Sequence, residues 1–245
     1  MANSVNENKV LRSRCLLAVR ALGLLCVCAV ASLVVGCNPQ ALAMLLMPWV
    51  DNKEPSKCKI ATPNKEVTVA IVTWFGNSAL ETNPDLLPCD NELSERLAAI
   101  LRERYQANKD KVKIVPNAQV RGLQNKAFST AWSPAKVGAD VKADKVIALE
   151  INNLSLREKG TSSLQQLFRG NIDIAVKVYD LDRPSGEQVV FEDQYRYGFP
   201  RENPTDDFAS VQQFRPAFLT RVARDLSRTF AAYPADERMY KMDTD

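Results

Sequence analysis

The chain contains no histidine, so any catalysis would have to use carboxylates, lysine, tyrosine or cysteine. That absence removes the Ser-His-Asp triad and the Cys-His pair. It also removes metal sites of the HExxH type. Carboxylate pairs can act on glycans without histidine. The candidates are Glu192, Asp193, Asp206 and Asp207, in hairpin and loop contexts where surface solubility explains them better than a site. No GxGxxG or GxxxxGK(S/T) loop occurs, which excludes nucleotide binding by those routes. Cys58 and Cys89 either close a disulfide across a loop of about thirty residues or stay as two buried thiols. Two cysteines without histidine do not fill a tetrahedral zinc shell. No cofactor and no metal are expected.

The third kind of chemistry is at Cys37. Residues 1–20 carry Lys9, Arg12, Arg14 and Arg20 against one acid, Glu7, and residues 21–35 are apolar and uncharged. A basic segment followed by a short apolar run is a secretory leader, and this run is short for a membrane span. It closes on Val34-Val35-Gly36-Cys37, which resembles the bacterial lipobox, with Val34 where Leu is usual. The resemblance implies that residues 1–36 are removed and that Cys37 is acylated as the first residue, with membrane attachment through it. The other reading is an uncleaved signal anchor, in which Cys15, Cys26, Cys28 and Cys37 are small hydrophobes in a helix. Asn38 is not the Asp that marks inner-membrane retention in enteric bacteria, which favours the outer membrane.

Charge follows the same division. The chain holds 32 basic and 29 acidic residues; without the four basic and one acidic residue of the leader, 28 face 28. The net charge of +3 therefore belongs to the leader, and no basic footprint for nucleic acid remains. The remaining 209 residues make one domain with a tether. The segment at 41–50 is too short to cross a bilayer. It either lies in the membrane interface, with Trp49 at the headgroups, or packs on the domain. Residues 37–65 thus read as acylated Cys, apolar segment and charged linker, 66–233 as the domain, and 234–245 as a frayed acidic tail.

These features have to be positioned by the elements of the domain. Residues 66–75, EVTVAIVTWF, form a strand apolar on both faces and so covered on both sides. Asp90 caps a helix to about residue 106, with Leu93, Leu97, Ile100, Leu101 and Tyr105 on one stripe. A short strand at 112–115 and a helix from Asn117 to about Leu123 follow. Ser133-Pro134 opens another helix, ending near Lys142, and residues 144–151 form a strand. Residues 171–180 and 187–198 alternate as an antiparallel hairpin with one solvated face. In the second strand Val189, Phe191, Tyr195 and Tyr197 share a face. A helix over about 211–233 carries Phe214, Phe218, Val222, Leu226 and Phe230 at i+4 spacing, with Pro216 required in its first turn. The fold class is α/β (α+β): a single mixed sheet, parallel βαβ in its first half and an antiparallel hairpin in its second, with packed helices and a long C-terminal helix.

This order resembles a group of bacterial envelope lipoproteins. The group includes the curli-secretion lipoprotein, the lipoprotein activators of penicillin-binding proteins and the amino-terminal domain of the Tol-system periplasmic protein. Residues 137–151, VGADVKADKVIALEI, carry it, with the opening strand VTVAIVTWF and the helix ending FAAY. The resemblance implies no shared catalytic residues. It implies a non-enzymatic role in binding or scaffolding envelope proteins, sometimes through homo-oligomers, with the domain in the periplasm. Alternatives are an accessory subunit of an envelope transport or secretion system, and the carboxylate-based enzyme. An interaction surface is expected at the C-terminal ends of the parallel strands, at Trp74, Phe75, Asn77, Asn152 and Asn153. A second candidate is Tyr195, Tyr197 and Phe199. For both sets the alternative is core packing.

Overall fold

Nine consecutive residues rich in β-branched side chains make strand β2, Val67–Phe75, and their alternation divides the domain into two cores. In the computed structural model, Val67, Val69, Ile71 and Phe75 join the larger core, while Ala70 and Val72 join the smaller one. A strand apolar on both faces has to be covered on both, and β2 is. The structure describes residues 53–76, 86, 88–127, 132–157, 167–200, 205 and 207–237, all within one compact unit, Lys53–Asp245. Cys37 and the segment 41–50 lie outside the described residues.

The other elements, in chain order, are β1 (Lys53–Glu54), α1 (Cys89–Ala107), β3 (Val112–Ile114), α2 (Asn117–Ala127), α3 (Pro134–Asp140), β4 (Lys145–Ser155), β5 (Gly170–Asp180), β6 (Val189–Phe199), α4 (Val211–Ser227) and β7 (Tyr233–Pro234). The main sheet runs β3-β2-β4-β5-β6. β2 pairs parallel with β3 and β4, and β4, β5 and β6 pair antiparallel. The expected mixed sheet, parallel first and antiparallel second, is the observed one.

α1 and α4 lie along each other on one face of the sheet. Leu93, Leu97, Leu101 and Tyr105 from α1 meet Phe214, Phe218, Val222 and Leu226 from α4 over the sheet. On the opposite face, Val120 of α2 and Val137 of α3 pack with Ala70, Val72 and Val146. The sequence of α3 makes its own start: Ser133 Oγ accepts the Lys136 N–H at 3.2 Å, with Pro134 at the first helical position. Asp144 then links β2 to β4, its carboxylate accepting the Thr68 N–H and its own N–H donating to Thr68 O at 2.8 Å. Ala143-Asp144 is therefore the pair immediately before β4, and Gly138-Ala139-Asp140 ends α3.

Several expectations change. Asp90 does not cap α1. The N-cap is Pro88, and Asp90 is the second helical residue, paired with Arg121 of α2 at 2.6 Å. α2 extends past Leu123 to Ala127. Pro216 is the sixth residue of α4, beyond its first turn. The carbonyl it leaves without an N–H belongs to Gln212, an exposed position that water can serve. α4 ends at Ser227 rather than near Tyr233. There the bonds tighten to i→i−3, Thr229 to Leu226 and Phe230 to Ser227. The turn keeps Phe230 on the buried face, so the i+4 spacing of aromatics outlasts the helix.

Residues 53–65, expected as linker, are built onto the domain from Lys53 on. β1 pairs antiparallel with β7, Ile60 is buried, and the Cys58 N–H donates to Thr229 O at 2.8 Å. The charged stretch reads as linker, but Cys58 and Ile60 are the apolar positions that anchor it. The first tail residues are held as well: Pro234 pairs with Lys53, and Glu237 pairs with Arg104.

Candidate functional site

The strand-end candidate is divided by alternation. Trp74 and Phe75 are neighbours in β2, so their side chains leave on opposite faces. Phe75 is buried in the larger core and offers no surface, which corrects its placement in an interaction site. Trp74 stays half-buried and meets Trp132 edge-on, ring centroids 5.2 Å apart. The Gly76 N–H donates to Ile151 O at 3.0 Å. A Cβ at Gly76 would stand 3.2 Å from Glu150 Oε1 and 3.4 Å from Asn152 Oδ1, so β2 and β4 end in close contact there. The register shift in β4 falls between Ile151 and Asn153 and leaves Asn152 as the extra residue. Asn153 is exposed, beside Asp173 and Arg196. Asn77 lies outside the described residues.

The aromatic candidate faces α4. Tyr197 packs on Phe218 at 6.2 Å, Phe199 on Phe214 at 6.4 Å, and Tyr195 stacks on Tyr197 at 6.3 Å. The Tyr195 hydroxyl donates to Asp225 Oδ2 at 3.1 Å. Burial first, and then the Asp225 charge, push the Tyr195 phenol well above its ordinary value. Phe199 is buried, with the Arg221 guanidinium 4.0 Å above its ring, and is not a surface anchor. These residues cover the underside of the hairpin. Val189 does not share their face: a register shift near Tyr179 leaves it 45% exposed.

Among the described residues, the carboxylate candidates are not assembled into a pair. Glu192 and Asp193 are consecutive in β6 and point to opposite faces. Glu192 pairs with Lys177 at 3.0 Å and Asp193 with Lys57 at 3.3 Å. Asp207 accepts the Thr205 hydroxyl at 2.7 Å, and Asp206 lies outside the described residues. Lys177 and Glu192, with Arg196 and Asp173 at 3.2 Å, make the hairpin's open face polar.

Cys58 and Cys89 are not bridged, which corrects the disulfide alternative. Cys89 opens α1, and Cys58 lies near Tyr105 at the other end, where its charge would act on that phenol. The rise between positions 89 and 105 is roughly 24 Å at about 1.5 Å per residue. A bridge needs Cα atoms within about 7 Å. Both thiols are buried, and burial pushes the Cys58 thiol up.

The most built polar feature was missed in the sequence. A cleft of about 380 Å³ lies between the C-terminal ends of α1 and α4 and the segment around β7. Arg104 Nη2 stands 2.6 Å from Glu237 Oε2, and Arg228 Nε is 3.6 Å from the same oxygen. Arg228 Nη2 donates to Glu237 O at 2.8 Å, and its Nη1 faces Asp225 Oδ1 at 3.0 Å. Both guanidinium groups lie by the Tyr233 ring, at 5.8 and 5.2 Å. Asn108 Nδ2 donates to Ala232 O at 2.9 Å and fixes the chain that bears Glu237. The period of α1 gives no sign of what the C-terminal segment brings to Arg104. The arrangement can hold an anion.

Among the described residues, no group of three or more His, Cys, Asp or Glu side chains could hold a metal ion. No described helix is long and apolar enough to cross a membrane.

The domain defined by these elements is an α+β domain with a mixed five-stranded sheet. No family model and no curated protein matches the chain. Solved structures similar to it include the hypothetical protein CT253 from Chlamydia trachomatis, 13% identical with a TM-score of 0.40, over 68% of this chain and 98% of that one. The PelC dodecamer from Paraburkholderia phytofirmans is 13% identical with a TM-score of 0.39, over 73% and 95%. Lipoprotein GNA1162 from Neisseria meningitidis is 12% identical with a TM-score of 0.37, over 64% and 98%.

Proposed function

We propose that the chain is a lipoprotein of the bacterial envelope, attached to the membrane through an acylated Cys37, whose domain binds or assembles other envelope proteins and is not an enzyme. The observation that carries this reading is the motif Val34-Val35-Gly36-Cys37, closing a leader that is basic and then apolar. The balance of 28 basic and 28 acidic residues beyond the leader supports a protein partner over nucleic acid. The likeness of residues 137–151 to the helix-then-strand element of curli-type and penicillin-binding-protein-activator lipoproteins supports the same role. Asn38 favours the outer membrane, with the domain in the periplasm. Trp74, Asn152 and Asn153 are the described positions of the strand-end candidate left at the surface for a partner.

The test is the intact mass of the membrane-extracted protein with mapping of its N-terminal peptide. A chain beginning at a lipid-modified Cys37 is the expected result. Residues 1–36 still attached, with no lipid, would overturn the lipoprotein reading. Crosslinking in intact cells then identifies the partner, and capture of a transport or secretion complex would make the chain its accessory subunit.

A further inference from the structure

We propose that the cleft between α1 and α4 is a binding site for a phosphate group, with Glu237 as its displaceable internal anion. Arg104 is the centre of the argument. Its side chain is only 8% exposed, yet Nη2 is the one guanidinium nitrogen with an acceptor. Its Nε and Nη1 find none among the described residues, and neither does Arg228 Nε, which is too far from Glu237 for a hydrogen bond. Buried donors without acceptors are unfavourable, and buried charged donors more so. An oxyanion in the cleft would complete these donors.

The chemistry favours phosphate over a carboxylate. Glu237 is a carboxylate, and its Oε2 serves both arginines while three guanidinium nitrogens remain unfilled. A tetrahedral phosphate offers more acceptor oxygens and more charge, and guanidinium groups match it in bidentate fashion. The lining carries Lys53, Arg104, Arg224 and Arg228 against Glu103 and Glu237, and with Asp225 paired to Arg228 an excess of one positive charge remains. Ile100, Ala107 and Ala232 form an apolar wall for the organic part of a phosphate ester. Glu237 is 31% exposed and lies just beyond β7, so it can leave without disturbing the main sheet.

The phosphate can come from a lipid headgroup or from a soluble ester. Lys53, on the cleft's wall, follows Cys37 by sixteen residues, a reach of at most about 55 Å fully extended. The lipid source, and only that part, rests on the proposed acylation.

The experiment is thermal unfolding of the full chain in neutral detergent, titrated with inorganic phosphate against chloride at matched ionic strength. A saturable rise in Tm is expected. Arg104→Gln or Arg228→Gln should weaken it roughly tenfold or more, the loss of one charge-assisted contact. Glu237→Gln should tighten phosphate binding by about tenfold, because the internal competitor is gone. This second variant keeps the test decisive if an arginine variant does not fold. A purely structural ion pair predicts that Glu237→Gln lowers Tm and leaves the phosphate dependence unchanged; that result, or no saturable binding by either protein, overturns the site. Phosphatidylglycerol in the micelles, compared with phosphatidylcholine, should compete with phosphate if the source is lipid. Phosphate binding without such competition supports a soluble ester. Binding in detergent does not need an acylated Cys37, so failure of the tether and failure of the site are separate results.

Discussion

Tyr195 of the edge strand and Asp225 of α4 share a hydrogen bond of 3.1 Å that ties the sheet to the helix above it. Asp225 also faces Arg228, and Arg228 reaches Glu237, so a polar chain runs from the sheet's edge to the arginine cleft. Tyr195→Phe should cost about 1 kcal/mol, the net value of one such bond, since Asp225 keeps its pairing with Arg228. Urea unfolding measures it. A variant as stable as the parent would show that the hydroxyl bond adds nothing.

Alkaline pH should destabilise the domain through its buried phenols. Burial is the largest cause of the raised pKa at both Tyr105 and Tyr195, with nearby acids adding to it. The unfolded chain releases these protons near the ordinary value of 10.0, while the folded chain keeps them. Above that pH the folded state binds more protons, so stability falls as pH rises. Below it the contribution is fully present. Stability measured from pH 9 to 11.5 (the window set by that ordinary value) should decline, and less steeply in Tyr195→Phe. A flat profile would contradict the burial.

Gly138→Ala decides between helix propensity and packing. Alanine is favoured over glycine in a helix interior by about 1 kcal/mol. A Cβ at Gly138, however, would lie 2.1 Å from Val146 Cγ2 and 3.1 Å from Leu181 Cδ1. Overpacking of this kind costs about 1–3 kcal/mol. Packing should win, and the variant should be less stable by about 1 kcal/mol. A more stable variant in thermal unfolding would mean that α3 shifts away from β4 at little cost.

The thiols should report the absence of a bridge. Cys58 and Cys89 are both buried and sit at opposite ends of α1. Maleimide should label neither in the native domain and both in denaturant without any reductant. Reductant should leave Tm unchanged. Labelling in denaturant only after reduction would restore the disulfide.

The pattern of apolar residues showed most elements because the core faces of β2, β4 and β5 and the stripe on α1 have the periods of strand and helix. It failed where a segment's state depends on a distant one. Lys53–Glu54 is a strand only because Tyr233–Pro234 lies beside it. α4 stops short of its aromatic spacing because the chain must turn to reach that pairing. The strand-end candidate failed in part for a local reason: Trp74 and Phe75 are adjacent, and alternation alone would have assigned them to different faces.

The sequence by itself determined the basic-then-apolar pattern of residues 1–35, Cys37 just after it, the lack of histidine chemistry and the two-sided apolar character of β2. Each is a matter of residue type or of spacing within a few positions, which the local backbone geometry reads directly. Tertiary structure decided whether Cys58 can meet Cys89 and whether Tyr195 faces a partner or a helix. It also decided that Arg104 meets Glu237, 133 positions away. Those pairings depend on how α1 and α4 lie together on the sheet, a sum of long-range packing contacts that no local period encodes.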